Sequence, residues 1–379
     1  MERVAIKHCN SYEEHRVQQA VDEAILALGG WEKYIRPGMQ VALKVNLLKR
    51  NRPEDHVTTH PAVVKAVAKR VVERGAQAII GDSPGGPYNK SMLEGIYRHS
   101  GMADVARETG AILNQDFSTV ECANLEGEAL KQLSQTSFIS KADVVINLPK
   151  LKTHGMMQYT GAVKNLFGTI PGTAKVEYHY RMPDIPSFAN MLIDICQYVK
   201  PALTIMDAIW GMEGDGPSAG TPREIGAVLA GENPYYLDFV AAGIITGLPL
   251  EFATVYFAGE RGLGPKSMEE VSLVGDDYHS LFLPDFMVPE GGGTAQLRGI
   301  LGHLGPLGKW LRPKPVFSAD VCIACGICAK SCPADAIHME DAPPPDVDLG
   351  ACIRCFCCHE LCPVKAVSIK RNPILRWLR

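Results

Sequence analysis

No apolar run in the 379-residue sequence approaches the eighteen or so residues that cross a bilayer, so nothing in it asks for a membrane span. Its opening, Met1-Glu-Arg-Val-Ala-Ile-Lys7, lacks the long apolar stretch of a secretory signal, and the cytoplasm is the expected compartment. Basic charge is not in excess: 38 Lys and Arg stand against 42 Asp and Glu, a formal net charge of −4, which gives no ground for a nucleic acid partner. No G-x-G-x-x-G follows a strand-like run, so any cofactor of the flavin or nicotinamide kind leaves no mark here. A disulfide framework is also missing, because Cys9, Cys122 and Cys196 are scattered through apolar segments of a long chain.

What is present is two cysteine runs near the C-terminus. Cys322, Cys325, Cys328 and Cys332 precede Pro333, and Cys352, Cys355, Cys358 and Cys362 precede Pro363. Both follow C-x2-C-x2-C-x3-C-P, the two-cluster bacterial ferredoxin run, in which the fourth cysteine ligates the other cluster. Three cysteines on one short loop can face three irons of a cubane, but the loop cannot also supply the fourth, and the proline helps turn the chain away. The reading is therefore two 4Fe-4S clusters, one held by Cys322, Cys325, Cys328 and Cys362 and the other by Cys352, Cys355, Cys358 and Cys332. Zinc, which favours paired C-x2-C motifs around one tetrahedral ion, fits this pattern badly. A shift of thirty residues lays the first run on the second and also superposes Ala336 on Ala366 and Ile337 on Val367, so the segment is an internal duplication. The extra Cys357 falls on Ile327 in that register and reads as a small buried apolar residue.

With 46% apolar residues the chain can bury a core, and its length allows two or three domains. From Val4 to about Gly275 short β-rich runs alternate with longer helical stretches, which predicts an α/β fold with a largely parallel sheet. Strands are expected at Val4–Cys9, Val41–Val45, Ala78–Gly81, Ala142–Asn147, Leu203–Met206 and Gly226–Ala230, with helices at Tyr12–Leu28, Pro61–Gly75, Lys90–Thr109 and Tyr235–Thr246. The expected layout is an α/β domain over 1–289, a Gly/Pro-rich linker over 290–315, an α+β ferredoxin-like domain over 316–371 and a basic tail over 372–379. That tail reads as a docked segment in preference to a peripheral membrane contact.

Polar clusters follow four of the strand-like runs: Lys44-Val-Asn46, Asp82 to Gly86, Asn147 to His154, and Asp207 to Gly216. Ligands of open α/β sheets bind beyond the carboxyl ends of the strands, so these clusters should converge on one pocket. Lys44, Lys150, Lys152 and Lys164 there imply a small anionic substrate, interspersed with Asp82, Asp207 and Glu213. Lys44, Asn46, Lys150, Asn165, Asp207 and Glu213 are candidate binding groups, while Lys152, His154, Asp82 and Lys164 are candidates for handling charge and protons.

The ordered series Lys44-Val-Asn-Leu-Leu48, Thr59-His-Pro61, Gly81-Asp-Ser-Pro-Gly85, Asn147-Leu-Pro-Lys-Leu-Lys-Thr-His154, Gly161-Ala-Val-Lys-Asn-Leu-Phe-Gly168 and Met206-Asp207 with Gly211 to Gly216 resembles the domain-of-unknown-function 362 family, in a form fused to a ferredoxin module. The resemblance covers about residues 1–280 and implies an iron–sulfur protein of anaerobic metabolism, with its site at these motifs. The expected function is an iron–sulfur oxidoreductase that passes electrons to the lysine-lined pocket, served by a redox partner protein. A ferredoxin-like carrier or docking protein without its own chemistry, and a non-redox lyase or isomerase with structural clusters, are the alternatives.

Overall fold

The computed structural model describes residues 1–289 and 312–372. The large domain is built on strands β1 (Glu2–His8), β2 (Gln40–Val45), β3 (Gln77–Gly81), β4 (Ile112–Leu113), β5 (Thr119–Ala123), β6 (Gln132–Thr136), β7 (Val144–Leu148), β8 (Lys150–His154), β9 (Gln158–Thr160), β10 (Leu203–Glu213), β11 (Thr221–Gly231) and β12 (Val271–Gly275). The main sheet runs β12-β1-β11-β10-β7-β2-β3-β4, with β8 paired to β10 and to β9, while β5 and β6 form a separate hairpin. From β10 to β4 every neighbour pair is parallel; only β11 runs against both its partners, and β9 against β8.

Helices cover both faces of the sheet. Those at Glu14–Ala27, Pro61–Glu73 and Lys90–His99 press Val21, Ile25, Val64, Val67 and Ile96 onto one face. The helices at Pro234–Thr246 and Ile185–Val199 bring Leu237, Val240 and Ile244, and Phe188 and Leu192, to cores on the other side. Buried on both faces, β2 and β7 read as continuous apolar runs without alternation. Helix starts follow their sequence signals: Pro61 lies in the first turn behind His60, whose Nδ1 accepts from Ala62 N at 3.2 Å.

Three local features differ from expectation. The helix expected over Lys90–Thr109 is two helices, Lys90–His99 and Met102–Thr109, turned at Gly101 with φ +77°, a conformation that only glycine adopts without cost. The polar stretch after Leu148 is itself a strand, β8, begun again after Pro149, and β10 runs on through Glu213 instead of ending at Met206. The helices Ala174–Arg181 and Ile185–Val199 answer to no expected element, although Asp184 caps the second by accepting from Ser187 N at 2.9 Å.

The small unit contains β13 (Lys314–Phe317), β14 (Ile337–His338), β15 (Asp346–Val347) and β16 (Val367–Lys370), paired antiparallel as β13-β16 and β14-β15. Most of the expected linker and tail lies outside the described residues.

Candidate functional site between the strand edge and the cysteine loops

The duplication read from the sequence recurs in the backbone. Ala324 and Arg354, Gly326 and Phe356, and Asp335 and Lys365 all take positive φ, each pair thirty positions apart. Ala336 N donates to Cys332 Sγ and Ala366 N donates to Cys362 Sγ, both at 3.2 Å. None of the twelve cysteines forms a disulfide.

Two chambers lie under these loops. Cys322, Cys325, Cys328 and Cys362 line one that encloses about 350 Å³, and Cys352, Cys355, Cys358 and Cys332 line another of about 340 Å³. In each, three of these sulfurs come from one loop and the fourth from the other. Among the described residues no three His, Cys, Asp or Glu side chains converge tightly enough to hold a single ion. Thiolates spread around an apolar chamber, with amide N–H groups aimed at two of the sulfurs, suit a cubane, whose corners keep its ligands apart. Cys357 also lines the second chamber; its hydrogen bond with Cys355 pushes the Cys357 thiol up and the Cys355 thiol down.

The two loops face different surroundings. Val321 is 43% exposed, Ile323 61% and Ile327 38%, whereas Phe356 is 4% exposed and Cys357 7%. Where the second copy diverges from the first, Gly326 gives way to Phe356, Ile327 to Cys357, Ala329 to His359, Lys330 to Glu360 and Ser331 to Leu361. These substitutions mark the side turned to the large domain. Phe356 and Ile369 enter a core with Met156 and Met157. The approach is close at Gly155, where a Cβ would sit 2.4 Å from Ile369 Cδ1 and would have to displace that methyl. Polar ties complete the junction: Lys49 Nζ donates to Cys362 O at 2.7 Å, Ser218 Oγ to Glu360 O at 3.1 Å, and Arg371 pairs with Asp215 at 2.6 Å.

At the carboxyl ends of β2, β3 and β7 the expected groups form a network that pairs most of their polar atoms and leaves Asn46 Oδ1 without a partner. Lys44 Nζ lies 2.8 Å from Asp82 Oδ1 and donates to Val45 O at 2.6 Å, and Asp82 Oδ2 accepts from Leu47 N at 2.6 Å. Asn165 Oδ1 accepts from Asn46 Nδ2 at 3.1 Å, while its Nδ2 donates to Asn147 Oδ1 at 2.8 Å. A second pair, Lys150 and Asp207 at 2.9 Å, is wholly buried with Tyr12, which donates to Asp207 at 2.9 Å and stacks on His60 at 3.5 Å between centroids. Glu213 accepts from Met287 N at 3.0 Å. Lys150, Asp207 and Glu213 thus lie away from the cavity described next.

That cavity, about 1530 Å³ of space partly open to solvent, lies between the strand edge and the second cysteine loop. Asn46, Asp82, Lys164 and Asn165 line it from the large domain, and Cys357, Glu360 and Leu361 from the small one. Lys175 and His179, on the helix Ala174–Arg181, complete the wall.

His154 connects the two sides. Its Nδ1 accepts from Met156 N and Met157 N at 3.1 and 3.2 Å, so the proton resides on Nε2, which lies 2.5 Å from Glu360 Oε1. Burial, with Lys164 beside it, drops His154 to about 4. Burial alone would raise Glu360, but His154 and Lys164 hold its carboxyl below the usual range. Lys152 donates to Val57 O at 2.6 Å, and burial, together with Lys164, lowers it to about 7. Burial lowers Lys175 to about 7 as well. Asp82, Lys164, Asn46 and Asn165 are therefore brought to one cavity, Lys44 sits behind Asp82, and Lys152 and His154 lie close enough to feel Lys164. Lys175, His179 and Glu360 escaped the sequence reading; of the three, Glu360 alone left a signal, as a departure from the repeat.

A family model described as a domain of unknown function (DUF362) matches residues 41–243, and one described as a 4Fe-4S dicluster domain matches residues 314–363. A thylakoid-associated protein of Synechocystis sp. is 33% identical over 298 residues, 76% of this chain and 89% of that protein. Among solved structures, the lactate racemase apoprotein of Thermoanaerobacterium thermosaccharolyticum aligns with TM-score 0.38 and 12% identity over 62% of this chain and 55% of that one. A Thermotoga maritima protein aligns with TM-score 0.37 and 10% identity over 60% of this chain and 57% of that one.

Proposed function

The chain belongs to the DUF362 family and carries a 4Fe-4S dicluster domain, and from that premise we propose that it is an iron–sulfur electron relay acting on a small anionic molecule in the cavity between its two domains. Cys322, Cys325, Cys328 and Cys362 would hold one 4Fe-4S cluster, and Cys352, Cys355, Cys358 and Cys332 the other. Such clusters, when bound, supply one-electron transfer. The observation that carries the reading is that Cys357 lines both the second cysteine chamber and the cavity that Lys164 and Asp82 line. A molecule in that cavity is separated from the second chamber by little more than this side chain. Fusing the relay to the receiving site raises the effective concentration of donor beside acceptor. Lys164 attracts the anion, Asp82 with Lys44 fixes the strand edge, and the Nε2 proton of His154 is shared toward Glu360. The thiolates suit a reducing compartment, the cytoplasm, and a redox partner protein would meet the exposed first loop.

Anaerobic reconstitution followed by iron and acid-labile sulfide analysis tests the cofactor content: about eight of each per chain is expected, and about four would end the two-cluster reading. Comparing metabolites of wild-type and deletion strains under anaerobic conditions, then recording EPR of the purified protein with whatever accumulates, tests the relay. A perturbed cluster signal is expected, and an unchanged one for every accumulating anion would count against it.

A further inference from the structure

The lysines that the strand-end motifs put forward are largely consumed within the fold. Lys44 is paired with Asp82 and Lys150 with Asp207 at 2.8 and 2.9 Å, and Lys152 spends a donor on Val57 O at 2.6 Å. Three lysines line the cavity: Lys330, on the first cysteine loop, is exposed to solvent, and the two on the large domain's wall differ from the paired lysines. Lys164 makes no hydrogen bond or ion pair among the described residues, although an ammonium carries three donors. Lys175 bonds only the carbonyl of Ser83, leaving two donors for the cavity.

The third unusual group is His179. Its ring is fixed by stacking on Phe188 at 4.5 Å and by an edge contact with Phe167 at 6.0 Å. It is 6% exposed, lines the cavity, and its buried Nδ1 has no hydrogen-bond partner. Buried polar atoms are normally partnered; the neutral ring carries one N–H, and with that proton on Nδ1 it lacks an acceptor, which an anion held by Lys164 and Lys175 would supply. The carboxylates nearby do not fill that role: Asp82 is engaged by Lys44 and Leu47 N, and Glu360 faces His154.

We propose that Lys164, Lys175 and His179 form an oxyanion subsite that takes the carboxylate or phosphate group of a small metabolite. The subsite rests on the reading of the cavity as the place where electrons are delivered. Glu360, on the opposing wall, repels a like charge, so the anionic group settles toward Lys175 and His179 and leaves the rest of the molecule facing Cys357. A compact oxyanion satisfies all three groups, whereas a neutral ligand leaves Lys164 desolvated and unpaired.

The test is anaerobic titration calorimetry of the full, cluster-loaded chain with inorganic phosphate and, separately, with malonate. One of the two should bind, and its identity tells phosphate from carboxylate. Lys164→Ala and Lys175→Ala should each weaken that binding about tenfold or more, and His179→Phe, which keeps the stack, by a smaller factor. Should Lys164→Ala fail to fold, Lys175→Gln and His179→Phe carry the same comparison. Failure of both anions to bind at millimolar concentration, or binding untouched by the substitutions, would overturn the subsite. Iron and sulfide content of the same samples separates this from the relay: eight irons without anion binding removes only the subsite, and four irons with binding removes only the two-cluster relay.

Discussion

His154 Nε2 and Glu360 Oε1 lie 2.5 Å apart, joining a strand of the large domain to the helix between Cys358 and Cys362. The Glu360 side chain is 16% exposed, and its charge acts on the buried lysines Lys164 and Lys152. Removing it leaves their charge without a counterweight in a desolvated site. Glu360→Ala should therefore lower stability by about 3 kcal/mol, and Glu360→Gln, which keeps the shape, should lose nearly as much because the charge is what matters. Anaerobic denaturant melts of both variants check this, and loss in the alanine variant alone would assign the effect to packing.

The crossed arrangement of cysteines makes a pairwise prediction. If Cys362 completes the chamber of Cys322, Cys325 and Cys328, then Cys362→Ala and Cys322→Ala should leave the same residual EPR spectrum, and Cys332→Ala should match Cys352→Ala. Cys357→Ala should keep the full iron content, because Cys357 falls outside the C-x2-C-x2-C-x3-C spacing and takes the place of Ile327 in the repeat. Matching spectra within each run, Cys322 with Cys332, would refute the crossing.

Lys152 ties stability to pH. Burial lowers it from 10.5 to about 7. Because the folded state disfavours its charge, between pH 7 and 10 the unfolded chain holds more protons, so folding gains stability as pH rises through that window. The cost is greatest below pH 7, where the buried ammonium is charged in the folded state. Wild type should accordingly gain on Lys152→Met across that range, by up to about 1.4 kcal/mol per pH unit. Parallel curves for the two proteins would mean that Lys152 titrates normally.

Much of this was legible before any coordinates. Cysteine spacing fixes ligand grouping because a short loop has few ways to present three sulfurs, and the apolar runs of β2 and β7 mark a sheet covered on both faces. The strand-end motifs pointed to one edge of the sheet, where a cavity lies, yet they did not tell a lysine that faces that cavity from one neutralised inside the fold. Lys150 and Lys164 look equally polar in sequence; the three-dimensional partner separates them, a direct ion pair with Asp207 for one and, among the described residues, none for the other. Lys175 and His179 stayed hidden because they lie on a short, polar helix that follows no strand-end motif. The domain junction was half visible, as the divergence of the second cysteine copy from the first at Phe356 to Leu361.

That divergence also predicts which cysteine set meets solvent first. Cys325 is exposed and its neighbours Val321 and Ile323 stand 43% and 61% open, while Cys355 and Cys358 are 8% and 7% exposed behind Phe356. A chelator reaches iron through accessible ligands, so a cluster-loaded sample treated with an iron chelator after mild oxidation should lose its iron in two phases, four from the outer set and then four from the inner. Phe356→Ala opens the docked side by deleting a buried ring from the core it shares with Met156 and Ile369. The slow phase should then accelerate towards the fast one, with the fast phase unchanged. A single phase in the wild type, or a fast phase that responds to Phe356→Ala, would show that the two loops are equally sheltered and that the junction protects neither in particular.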